Sequence, residues 1–170
     1  MMPLTKDTIL QYAAEYDRTR TASDKSVEEE MKAKLKNQRF LTREDFIKIG
    51  IWKSPRQKKR YESNRGEAVR ELTALSFTAT TEEARLGCLL ALNGVSFPLA
   101  SVILHFAFPD EYPILDFRAL WSLGWELPSD YSFIFWTDYC TRLRELAKEH
   151  GVDLRTLDKA LWQYSATHQK

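Results

Sequence analysis

Apolar residues recur at three-and-four spacing along nearly the whole chain, the period of one face of an α-helix. Ile9, Tyr12, Ala13 and Tyr16 follow Thr5; Phe133, Trp136, Tyr139, Cys140, Leu143, Leu146 and Ala147 follow Ser132; Leu154, Leu157, Leu161 and Tyr164 come last. Six Gly and six Pro in 170 residues are too few for the turns of a β-sandwich or barrel. The expected fold class is all-α, with about eight to nine helices in a single domain over residues 1–170.

Local signals set the expected boundaries. Thr5 opens a first helix over 5–19; Ser26 with Glu29 reads as a capping box for a second, to about Asn37. Thr42 with Asp45 opens a third toward Trp52, which Pro55 ends, and a fourth is expected over 57–76. Thr80 with Glu83 opens a fifth, which runs to Leu92 before the breaker pair Asn93 and Gly94. Pro98 to Phe108 is apolar nearly all round and fits a buried strand by composition. A buried helix is preferred because a first helical turn tolerates Pro98. Phe117 to Trp121 forms helix after Asp116, and Gly151 caps the Ser132 helix.

Charge is balanced overall at +1 but unevenly distributed. Residues 31–70 hold 13 Lys and Arg against four acids. Such a run is either a surface that meets phosphates or a solvated helix face. In the first reading Lys53, Arg56, Lys58, Lys59 and Arg60 face the phosphates of a nucleic acid. Two cysteines, Cys88 and Cys140, cannot build a disulfide scaffold or a four-thiolate site and read as buried apolar residues. His105, His150 and His168 lack metal-ligand spacing, and His105 reads as a core histidine. No stretch approaches a signal peptide or a membrane span, so a cytoplasmic location without a membrane partner is expected. Trp121, Trp125, Trp136 and Trp162 read as core.

The segment Leu89–Leu123 carries the chemistry. A helix, the turn Leu92-Asn93-Gly94-Val95-Ser96 and a second helix from about Pro98 expose backbone N–H groups at a helix N-terminus. That arrangement suits a phosphate and carries no base information. Downstream stands Tyr112-Pro113-Ile114-Leu115-Asp116. These two strings resemble the helix-hairpin-helix DNA glycosylases, whose signature is a Leu-Pro-Gly-Val-Gly hairpin followed about twenty residues later by an aspartate. Pro-Ile-Leu-Asp is most similar to adenine-specific members. The upstream order of a helix ending at Trp52, a basic turn and a helix through Arg65 and Ala68 is also similar, whereas residues 1–40 and 126–170 contribute only helicity.

The resemblance implies a helix-hairpin-helix motif at about 82–108 and a duplex DNA partner contacted by Asn93, Gly94, Val95, Ser96 and Phe97. It also implies hydrolysis of the N-glycosidic bond of a damaged or modified base with Asp116 as the catalytic residue. A carboxylate there stabilises the oxocarbenium-like sugar and orients water; its bland role is the N-cap of the following helix. Arg118 pairs with Asp116, reaches DNA, or simply starts a helix on the surface. Phe97 wedges into a base stack or packs beneath the turn. Two departures from the family stand out. Ser96 replaces the second hairpin glycine, and Pro98 occupies the position of the lysine used by lyase members, so the resemblance implies a monofunctional enzyme with Lys53 as the one alternative nucleophile. No iron–sulfur cluster and no nucleotide cofactor are expected; a monovalent cation at the hairpin is compatible with the family. Two other readings remain: a DNA-binding helix-hairpin-helix module without catalysis, and a helical protein-interaction domain.

Overall fold

The computed structural model describes residues 1–169. These carry ten α-helices and one 3-10 turn, with no strand among the described residues: α1 (Lys6–Thr19), α2 (Ala22–Leu35), α3 (Arg43–Lys53), the 3-10 turn (Pro55–Gln57), α4 (Lys58–Glu62), α5 (Gly66–Thr78), α6 (Glu82–Leu90), α7 (Phe97–Ala107), α8 (Phe117–Leu123), α9 (Phe133–His150) and α10 (Leu154–His168). The all-α class is as the periodicity predicts. Packing divides the chain into two units, Met1–Arg20 with Pro109–Lys170, and Thr21–Phe108.

In the unit Thr21–Phe108, α7 is the central element. All eight residues from Leu99 to Phe106 are buried, as expected of a helix apolar on every side. This decides between the strand and helix readings of the segment, and His105 is a core residue within it. Helices α2, α3 and α6 pack against α7. The helix expected over 57–76 is broken into α4 and α5, which raises the helix count above the eight to nine expected. At the break the Asn64 side-chain amide donates to the carbonyls of Arg60 (3.1 Å) and Tyr61 (3.1 Å), ending α4, and Arg65 begins α5 in extended geometry.

In the other unit α10 packs against α1, α8 and α9. Trp136 is fully buried and stacks on Tyr112 with ring centroids 6.1 Å apart; truncating such a ring to Ala costs about 3–5 kcal/mol. Trp121, Trp125 and Trp162 are only half-buried, against the expectation of core: Trp121 lies in α8, Trp162 in α10 and Trp125 in the loop after α8. Cys88 is likewise half-buried rather than core, while Cys140 is buried. No helix among the described residues is long and apolar enough to cross a membrane.

Candidate nucleic-acid interface

The turn between α6 and α7 is built on Gly94, whose φ of 87° lies in the left-handed region. The Val95 amide donates to the Leu92 carbonyl at 3.1 Å and closes the turn. Space demands glycine as well: a Cβ there would lie 2.9 Å from Arg60 Cβ and 2.9 Å from Tyr61 Cδ1. Tyr61 is buried, and its other flank meets Gly50 of α3, where a Cβ would fall 2.5 Å from the ring. Burial raises the Tyr61 hydroxyl above its ordinary value, and the group donates to the Ser54 carbonyl at 3.3 Å.

Asn64 fastens the turn to α4. Its Oδ1 accepts from the Asn93 amide at 2.8 Å, its Nδ2 donates to the Asn93 carbonyl at 2.9 Å, and Asn93 Nδ2 donates to Ser63 Oγ at 2.7 Å. Arg43 of α3 also holds this strip, donating from Nε to the Asn64 carbonyl at 3.0 Å and from Nη2 to the Glu62 carbonyl. The turn residues predicted for backbone contact, Asn93 to Ser96, are thereby seated beside Arg60. Sequence reasoning missed Asn64, Ser63 and Arg43. The Ser63-Asn64 pair ahead of Gly66 was a turn signal in plain view.

The basic run separates into two populations. Lys34 pairs with Asp45 (2.8 Å), Lys32 with Glu28 (2.9 Å) and Lys48 with Glu30 (2.7 Å), Arg70 stacks over Phe40, and Arg43 is engaged as above. For these the solvated or structural reading holds. Residues 55–60 are all exposed and outline a surface groove of about 450 Å³. Within it Arg56, Lys59 and Arg60 make no ion pair among the described residues, and Lys58 reaches Glu62 at 3.6 Å. Lys53 is half-buried in the last turn of α3.

α7 begins openly. The Ser96 side chain makes no cap hydrogen bond, Pro98 has no N–H, and the Gly94 and Ser96 amides have no partner among the described residues. These two amides stand just ahead of the positive end of an eleven-residue helix. Phe97 is half-buried at its first position.

Asp116 belongs to the other unit. It is the N-cap of α8, half-buried, with Oδ1 accepting from the Arg118 amide at 3.0 Å. Arg118 directs its guanidinium over the rings of Phe117 (5.2 Å) and Trp162 (5.1 Å). Pro113, Ile114 and Leu115 are buried ahead of Asp116. The Ile114 amide donates to Asp158 Oδ2 at 2.9 Å and its carbonyl accepts from the Tyr139 hydroxyl at 2.9 Å. Burial raises the Tyr131 hydroxyl, with the Asp116 charge adding to it. Burial likewise raises the Tyr139 hydroxyl well above its ordinary value, helped by the carboxylates of Asp158 and Asp116. No group of three or more His, Cys, Asp or Glu that could hold a metal ion occurs among the described residues. In comparisons with known proteins no family model, no curated protein and no solved structure matches this chain, so the functional reading rests on these residues and their geometry.

Proposed function

We propose that the chain binds the phosphate backbone of duplex DNA through the Asn93–Ser96 turn and the exposed Arg56–Arg60 segment. In this reading it is a divergent monofunctional relative of the helix-hairpin-helix DNA glycosylases. The observation that carries the binding half is the Asn64–Asn93 clamp, which seats a helix start without a side-chain cap beside Arg60. Backbone amides and cations of this kind grip phosphates at any sequence, leaving a damaged base to be selected by the ease of its extrusion. Asp116 then stabilises the sugar cation as the glycosidic bond breaks and directs water to the anomeric carbon, and the base departs. Pro98, lacking an amine, leaves an abasic site with the strand intact.

Salt titration tests the binding half. Four to six phosphate contacts give a log–log slope of about −4 to −5, and reversing charge at Lys58 and Lys59 lowers the slope by about two while weakening all sequences alike. No binding to duplex at ~50 mM salt overturns it. For the chemistry, a panel of damaged and mispaired oligonucleotides is incubated with wild type and Asp116→Asn, and abasic sites are read as breaks after alkali. Asp116→Asn keeps an acceptor for the Arg118 amide but removes the charge, so excision falls about 10²–10³-fold or more with duplex affinity retained.

A second reading, a DNA-binding module without catalysis, is favoured by one observation: the Asp116 carboxylate already serves as the cap of α8. Absence of base release from every substrate by a protein that binds duplex with the expected salt slope selects it.

A further inference from the structure

We propose that Tyr139 and Asp158 are positioning residues for Asp116, holding the buried Pro113–Leu115 loop by both polar backbone groups of Ile114 and so fixing where the carboxylate stands. The inference rests on the excision reading above for its catalytic consequence.

The loop that delivers Asp116 belongs to no helix, so its geometry comes from what grips it. Two helices supply the grip from opposite polarities: Asp158 of α10 accepts the Ile114 N–H, and Tyr139 of α9 donates to the Ile114 carbonyl, both at 2.9 Å and both buried. Asp158 is 4% exposed and Tyr139 is fully enclosed, a costly place for a carboxylate and a hydroxyl unless their bonds are made. Nearby, Arg144 Nε donates to the Glu111 carbonyl at 2.6 Å and Tyr112 stacks on Trp136, so the whole approach to Asp116 is anchored. With its proton held by burial and by neighbouring carboxylates, Tyr139 remains a donor across the physiological range. Two residues beyond Ile114, the peptide plane so fixed sets the direction of the Asp116 side chain, whose Oδ1 meets the Arg118 amide. Displacement of a reacting group by about 1 Å costs about 10²-fold in rate, so a slack loop suffices to disable the site.

The test uses the full chain carrying Asp158→Ala, Asp158→Asn or Tyr139→Phe, with two readouts. Single-turnover base release is measured per folded molecule, beside duplex affinity and the helical spectrum. Amide hydrogen exchange is followed at Arg118 and in the middle of α9 and α10. Asp158→Ala and Tyr139→Phe are expected to slow release by roughly 10²-fold with affinity nearly unchanged. Both also speed Arg118 exchange while mid-helix amides stay protected. Asp158→Asn restores both, because its amide oxygen still accepts from Ile114. Unchanged Arg118 exchange in Asp158→Ala and Tyr139→Phe overturns the proposal whatever the activity. So does a loss of release that merely follows a loss of helical signal. If wild type releases no base while Arg118 exchange accelerates in the variants, the excision reading fails and the positioning of Asp116 stands.

Discussion

Two loops in this chain lead into helix starts, and they are finished in opposite ways. The Asn93–Ser96 turn is held by exposed side-chain hydrogen bonds between Asn93 and both Asn64 and Ser63, and it delivers α7 without a side-chain cap. The Pro113–Asp116 loop is held by buried bonds, one donated by Ile114 to Asp158 and one donated by Tyr139 to Ile114, and its own last residue caps α8. An exposed clamp competes with water and contributes about 0.5–1.5 kcal/mol per bond, whereas a buried group stripped of its partner costs about 1–3 kcal/mol. The first loop is therefore the easier of the two to loosen, and in the second the Asp116 carboxylate is engaged with the Arg118 amide. The difference fits the proposed function, in which the turn grips a phosphate backbone and the carboxylate stays in place.

The largest expected effect is at Gly94. A β-branched side chain there meets both an unfavourable positive φ and atoms of Arg60 and Tyr61 at 2.9 Å, so Gly94→Val costs about 3 kcal/mol. Denaturant unfolding reports the loss, and duplex affinity falls with it while the helical spectrum is retained at low temperature. Normal binding by the folded variant removes the turn from the proposed interface.

Next comes the clamp itself. Asn64→Ala removes both bonds to the Asn93 backbone, bonds that lie at the surface, and lowers stability by about 1–2 kcal/mol. Its effect on duplex affinity exceeds what that stability change explains at temperatures where the variant is fully folded, because the turn no longer sits beside Arg60. Equal affinity for wild type and variant would break the comparison, leaving the clamp as ordinary turn packing.

Helix starts were legible wherever one residue decides them. Thr5, Thr42 with Asp45, and Asp116 open their helices as the sequence predicts, since the acceptor and its amide lie within three residues of each other. Where several hydroxyls compete, the choice passes to tertiary contacts. α2 starts at Ala22 with Thr21 as its cap, not at the Ser26–Glu29 box, and Trp52 Nε1 donates to the Asp24 carbonyl in that first turn. α6 is capped by Thr81 rather than Thr80. The Asn64 clamp and the Asp158 grip on Ile114 were not legible, because Asn64 and Asn93 are separated by 29 positions and Asp158 and Ile114 by 44, and no local pattern records which distant side chain will meet a loop amide.

The smallest effect concerns acid, and it separates helix starts closed by carboxylates from the open start of α7. At Asp45, burial opposes ionisation, but hydrogen bonds from Lys34 and Thr42 outweigh it and hold the carboxyl below its ordinary value of 3.8. At Asp153, burial is likewise outweighed by the Thr156 amide and hydroxyl. Both folded-state values are depressed, so the stabilisation is fully present above the unfolded value near 3.8 and is lost as pH falls through the folded values. Urea midpoints should therefore stay level from about pH 6 to 5 and fall below about pH 4. Asp45→Asn and Asp153→Asn each lower the midpoint at neutral pH and flatten part of that acid fall. Ser96→Ala, at a helix start with neither a carboxylate nor a side-chain cap bond, leaves the acid profile unchanged. An Asp45→Asn protein that retains the full acid loss would show that the Lys34 and Thr42 hydrogen bonds do not carry it.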